Sequence, residues 1–138
     1  MTHVSDAGHP IDHVGVAVHS IEESRALFEF LSGARCSQPE TLEPYGVRVA
    51  FVGFIELIEP LAADTNIGRF LERRGQGIHH VAYRTDDIEA ELERLTAAGV
   101  ELIDRVPRPG AGGHRVAFLQ PSAAGGVLVE LVERPGDG

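Results

Sequence analysis

Four polar residues stand inside otherwise apolar runs of this chain. His13 opens HVGVAV, His80 opens HVAYR, Glu56 divides Ile55 from Leu57, and Glu130 divides Val129 from Leu131. Side chains alternate across a strand. His13 therefore shares a face with Gly15 and Ala17, away from the valines, and His80 shares one with Ala82 and Arg84. A carboxylate inside such a run is costly to bury unless an ion, an ion pair or strong hydrogen bonds compensate. Two imidazoles and two carboxylates suit a borderline divalent cation: Zn2+, Co2+, Ni2+, Mn2+ or Fe2+. The two carboxylates balance its charge, and four protein ligands on a six-coordinate ion leave two adjacent positions for a chelating substrate. The expected cofactor is thus one divalent metal ion, with His13, Glu56, His80 and Glu130 as its ligands.

These residues fall on an internal repeat. IDHVGVAVHSIEE, from Ile11, matches IHHVAYRTDDIEA, from Ile78, at an offset of 67 (78 minus 11). The match pairs His13 with His80 and leaves His79 without a twin. The glutamates are 74 apart (130 minus 56), so the second copy carries a few additional loop residues, expected at PGAGG, 109–113. Each copy continues as a helix. The first has Ile21, Leu27, Phe28 and Leu31 as its apolar stripe, with Ser20 as N-cap and Gly33 at its end. The second has Ile88, Leu92 and Leu95, capped by Asp86 or Asp87 and stopped by Gly99. Extended segments follow: a loose one near Ala34–Leu42, then YGVRVAFVG and FIELIEP in the first copy, and VELIDRVP, HRVAFLQP and GVLVELVE in the second.

The order strand–helix–three strands therefore occurs twice. It predicts an α+β fold of two tandem βαβββ modules, forming paired curved sheets around a metal-binding cleft. Residues 1–138 read as a single domain: module one at about 10–60, a linker at about 61–77 with a short helix at IGRFLERR, and module two at about 78–133. The ends, about 1–9 and 135–138, read as frayed. His3 and His9 then lie in a tail, and His19 ends a strand. His114 follows a Gly-rich turn and is the one further histidine assigned a place near the ligand.

The net charge is −9, from 21 acidic and 12 basic residues, and every basic residue is arginine. Such a balance excludes a nucleic-acid binder, which needs a basic face. It leaves room for a local arginine group to hold an anionic ligand. Arg105, Arg108 and Arg115 gather around the Gly-rich loop, and Arg69, Arg73 and Arg74 form a second group; solvated surface is the default for both. No apolar run is long enough to span a bilayer, so no membrane is expected as a partner. With a single cysteine, Cys36, and no basic, apolar leader in MTHVSDAGHP, a cytoplasmic protein is expected.

The segments IDHVGVAV, IELIEP, GIHHVAYRTDDI, PRPGAGGHRVAFLQP and GVLVEL, in this order, resemble the vicinal-oxygen-chelate superfamily of glyoxalase I, bleomycin-resistance proteins and extradiol dioxygenases. Within it they are most similar to the methylmalonyl-CoA epimerases, over roughly residues 10–133. The resemblance carries the metal ligands onto His13, Glu56, His80 and Glu130. It implies epimerisation of methylmalonyl-CoA, or a similar 2-substituted malonyl-CoA thioester, by α-proton abstraction through a metal-stabilised enolate, with Glu130 as a catalytic base. The implied partners are a small-molecule acyl-CoA thioester and, by analogy with superfamily members, a second copy in a homodimer. Gln120-Pro121-Ser122 replaces the family's His-Pro-Lys, so Arg108 or Arg115, with His114, is expected to meet the substrate's anionic part. Val49 stands where some epimerases carry a second basic Glu. The alternatives are a glyoxalase I-like isomerase acting on a glutathione hemithioacetal, and a non-catalytic antibiotic-binding protein.

Overall fold

A computed structural model describes residues 8–134. His3 and most of the expected frayed ends lie outside the described residues. The chain divides into two compact units, one of His13–His80 and one made, among the described residues, of 8–12 with 81–134. Both carry the expected element order, and the fold is mixed α+β.

In the first unit, β1 (Ile11–Ala17) leads into α1 (Ile21–Ser32), then β2 (Glu40–Leu42), β3 (Val47–Val52), β4 (Ile55–Pro60) and α2 (Asn66–Arg74). The strands run in the order β2-β3-β4-β1, with β1 parallel to β4 and the other pairs antiparallel. Ser20 caps α1 by accepting from the Glu23 amide, and Gly33 ends it in the left-handed conformation at φ 72°. One face of the sheet packs Val18, Ile21, Ala50, Val52 and Leu57 with Phe28 beneath α1. The expected stripe on α1 is narrower than its sequence suggests. Ile21 is buried and Phe28 partly so, but Leu27 and Leu31 are 61% and 69% exposed. The helix meets the sheet along the line of Ile21, Arg25 and Phe28, and Leu27 and Leu31 lie about 100° off it.

The second unit repeats the scheme. The strand β5 (Gly77–Thr85) crosses from one unit to the other. It is followed by α3 (Ile88–Ala97), β6 (Arg108–Pro109), β7 (Arg115–Leu119) and β8 (Val129–Glu133). The order is β5-β8-β7-β6, again with the first and last strands parallel. Asp87 caps α3, and Ile88, Leu92, Ala117, Leu119 and Leu131 form the core under it.

Three expectations are corrected here. Val100–Pro107 is not a strand. Only Leu102 bridges to Leu119, because the Asp104 carboxylate accepts the Phe118 amide at 2.9 Å and takes the place of a strand partner. Pairing with β7 passes instead to Arg108–Pro109. The additional residues of the second copy are not in PGAGG either: β3 and β4 are joined by two residues, Gly53 and Phe54, whereas 120–128 join β7 to β8. His9 is not a loose tail, since its Nε2 lies 2.9 Å from Glu91 Oε2.

A second repeat is visible only in the structure. In the first unit Glu59 accepts the Ile21 amide at 2.8 Å and pairs with Arg48. In the second unit Glu133 accepts the Ile88 amide at 2.9 Å and pairs with Arg115. Each helix start is thus tied to the last strand of its unit by the same arginine–glutamate clamp.

Candidate metal centre

The face of the first unit turned away from α1 carries the histidine of β1. Parallel pairing sets Gly15 of β1 opposite Glu56 of β4, and antiparallel pairing sets Phe51 of β3 opposite Glu56. His13 and Glu56 consequently share a face with His80, which joins them from β5. The Nε2 atoms of His13 and His80 are 3.2 Å apart. Glu56 Oε1 lies 3.3 Å from the first and 3.4 Å from the second. All three residues are buried. Two donors each about 2.0–2.1 Å from a common ion stand about 2.9 Å apart at a right angle and about 3.4 Å apart at the tetrahedral angle. The three separations match one triangular face of such a coordination shell, so this donor set fits a divalent ion.

Two neighbours hold His80 in place. A Cβ built on Gly15 would lie 2.2 Å from His80 Cε1, so the imidazole occupies the space that glycine leaves. His79 Nδ1 lies 2.9 Å from His80 Nδ1, which commits that nitrogen to His79 and leaves Nε2 for Glu56 and His13. A partner on the second ring nitrogen is the usual means of orienting a metal-binding imidazole. Neither role was assigned from sequence. The signals available were a glycine two residues after His13 on its own face and a histidine beside a histidine. Burial pushes the Glu56 carboxyl up, but hydrogen bonds and charge from His13 and His80 outweigh it and hold the group at about 2.

In the second unit Glu130 is buried on β8, opposite Ala82 of β5 and Phe118 of β7. The next row on that face runs Arg84–Val132–Val116–Arg108. His114, extended at φ −71° and ψ 158° just ahead of β7, follows the same alternation. Arg108 and His114 therefore share Glu130's face, and Arg108 pairs with Asp104 at 3.1 Å. Arg115 does not share it. It lies on the α3 side, held by Glu133 at 2.8 Å and Glu89 at 2.7 Å, where its twin Arg48 also sits in the first unit. Hydrogen bonds from Arg115 keep Glu89 below the ordinary carboxyl range. A substrate contact was expected of Arg115; its place in the helix clamp gives it a structural partner set instead. Asp12, also buried, accepts from Arg84 at 3.2 Å and Arg134 at 2.8 Å. Among the described residues no helix is long and apolar enough to cross a membrane.

The profile of the glyoxalase/bleomycin resistance protein/dioxygenase superfamily matches residues 12–118. The mitochondrial methylmalonyl-CoA epimerase of Dictyostelium discoideum is 38% identical over 129 residues, covering 90% of this chain and 78% of its own. An uncharacterized protein of Bacillus subtilis, YqjC, is 44% identical over 131 residues, covering 92% and 94%. Among solved structures, a Streptomyces coelicolor methylmalonyl-CoA epimerase variant in complex with 2-nitronate-propionyl-CoA is similar at a TM-score of 0.85, with 31% identity and coverage of 93% and 96%.

Proposed function

The chain belongs to the glyoxalase/bleomycin resistance protein/dioxygenase superfamily, and from that premise we propose that it is a metal-dependent epimerase of methylmalonyl-CoA or a similar 2-substituted malonyl-CoA thioester. The observation that carries the reading is the convergence of His13, Glu56 and His80 at 3.2–3.4 Å. Glu130 is the proposed fourth ligand. Its support is register: Glu56 stands opposite Gly15 and Glu130 opposite Ala82, and these partners are 67 apart (82 minus 15), the offset of the sequence repeat. The relatives named epimerases, one of them holding an acyl-CoA analogue, support the substrate class.

When bound, a divalent ion supplies Lewis-acid stabilisation of the charge that develops on the thioester oxygen as the α-proton leaves. The remaining steps belong to the chain. Glu130 takes the α-proton as substrate binding loosens its hold on the ion. Arg108 and His114 hold the anionic part of the substrate, with Arg108 as the forked cation suited to a carboxylate. Phe51, ring edge to His13 at 5.5 Å, lines the floor and keeps it apolar. A cytoplasmic, homodimeric protein with its two units in one domain completes the proposal; the single cysteine suits a reducing compartment.

A glyoxalase I-like isomerase acting on a glutathione hemithioacetal is the second reading. It is favoured by Val49, which is buried where a second base is expected of an epimerase. Exchange of the α-proton of methylmalonyl-CoA in heavy water, run beside a methylglyoxal–glutathione assay, separates the two. The expected outcome is metal-dependent exchange in the first assay. Turnover in the second alone would overturn the proposal.

A further inference from the structure

Inversion at an α-carbon needs a proton taken from one face and another returned to the opposite face. Glu130 accounts for one side, and Val49 cannot serve the other. On the metal-bearing face of the first unit, the strand residues are His13, Gly15 and Ala17 on β1, Glu56 and Ile58 on β4, Val47, Val49 and Phe51 on β3, and Glu40 and Leu42 on β2. Apart from the proposed ligands, Glu40 is the single ionisable group among them. It lies directly opposite Val49, at the end of the row Ala17–Ile58–Val49–Glu40. The corresponding row of the second unit is Arg84–Val132–Val116–Arg108, with Val116 exactly one repeat beyond Val49 (116 minus 49 is 67). Equivalent positions of the two repeats thus carry an acid, Glu40, in one unit and a cation, Arg108, in the other.

We infer that Glu40 is the second proton-transfer group of this enzyme, one strand outward from the position Val49 fills. The inference rests on the epimerase reading above. Glu40 stands two strands across and two residues along from Glu56, about 12 Å between Cα atoms from a strand spacing of ~4.8 Å and a rise of ~3.4 Å per residue. The extended Glu40 side chain leaves room between its carboxyl and the ligand cluster for a small acyl chelate. Glu40 is exposed, so it exchanges protons with water between turnovers. In the step itself the α-C–H bond breaks, its proton passes to one carboxylate and its electron pair enters the thioester enolate. A new C–H bond then forms on the other face with the proton of the second group, which enters the turnover as the carboxylic acid. The two groups end with their protonation states exchanged, water resets them, and no further reactant is consumed.

The test is E40Q, with E40D beside it, in the metal-loaded full chain. Each variant is given the separate 2R and 2S forms of methylmalonyl-CoA in heavy water, and both deuterium uptake and configuration are read. E40Q should lose inversion by about 10²–10³-fold, the scale of one general acid–base group. Its metal content and melting temperature should be unchanged, one stereoisomer should still exchange its α-proton, and E40D should recover part of the inversion. Inversion by E40Q within twofold of wild type, or equal loss of exchange from both stereoisomers, overturns the role of Glu40. A wild-type protein that exchanges neither stereoisomer overturns the epimerase reading itself, and the two failures are told apart by the wild-type control.

Discussion

Replacing Gly15 by alanine adds one methyl group at the point where His80 leans on β1. The built Cβ falls 2.2, 2.5 and 2.7 Å from Cε1, Nδ1 and Nε2 of that ring. Non-bonded carbons settle at about 3.5–4.0 Å, so the imidazole must retreat by more than ~1 Å. Gly15 has an ordinary negative φ, and the added methyl meets no backbone obstacle. The burden falls on the ring, which is buried and tied to His79 at 2.9 Å. Overpacking of this kind costs about 1–3 kcal/mol. A ligand moved by ~1 Å is outside the ~0.2 Å tolerance of a metal bond, so His80 is lost as a donor. Metal affinity should then fall by at least the 10–100-fold that loss of an orienting contact costs. Competition titration with a chelating dye measures the affinity, and thermal unfolding of the metal-free protein measures the packing cost. Gly77, on the same strand as His80, has nothing within 4 Å of its built Cβ, so Gly77→Ala is the matched control. If Gly15→Ala binds metal within threefold of wild type and melts with it, the ring does not stand where this reasoning needs it.

The two arginines of the second half should part company. Arg115→Met should weaken the anchoring of α3 slightly, as expected of a partly exposed pair, and leave turnover per folded molecule intact. Arg108→Ala should raise KM with little loss of stability. Equal KM effects from both would refute the division of faces. Asp12→Asn replaces the buried carboxylate shared by Arg84 and Arg134 with a neutral amide and should cost about 2 kcal/mol in urea unfolding; an unchanged midpoint would refute that figure. Burial pushes Glu91 up, but hydrogen bonds from Arg94 and His9 outweigh it, so its folded-state carboxyl lies below the ordinary value. A lowered folded value means stability that is present above the unfolded pKa, near 4.3, and is lost as pH falls through the lower folded value. Glu91→Gln should therefore be less stable than wild type at pH 7, and the difference should shrink on acidification through that window.

Elements with a strict period were legible before any coordinates. The helix caps Ser20 and Asp87 and the strand residues around His13, Glu56, His80 and Glu130 follow from local spacing, because capping and face alternation are decided within a few residues. What could not be read was set by cross-strand register. Glu40 sits in a segment with little strand character of its own, and only pairing with Val49 gives it a face. Arg108 and Arg115 look alike in the sequence, seven residues apart, yet odd spacing and the Glu133 clamp put them on opposite sides of one sheet. The segment Val100–Pro107 reads as extended from composition, but an aspartate side chain, Asp104, takes the amide that a neighbouring strand would have used. The exposed Leu27 and Leu31 mark the same limit, since a stripe of apolar residues says which side of a helix can be buried and not how wide the receiving sheet is.

Charge ties the proposed ligand set to the rim. Two neutral imidazoles and two carboxylates around a divalent ion sum to zero. A malonyl-type substrate then brings one negative charge, and as its α-proton passes to Glu130 a second develops on the thioester oxygen while that glutamate is neutralised. Val116 and Val132, the apolar residues beside Glu130 on its face, do little to solvate either, so a cation on that face is required. Arg84 and Arg134 stand on Glu130's face but share the buried Asp12 between them, and Arg115 faces the other way. Arg108 is about half exposed on Glu130's face, and its partner Asp104 also accepts the Phe118 amide, so of these arginines it is the one the proposal gives to an incoming carboxylate. The equivalent position in the first unit is Glu40, a carboxyl group of the kind the proposed proton return uses. The divergence of the two copies at this one row is thus what a neutral metal shell and an anionic, proton-exchanging substrate together demand.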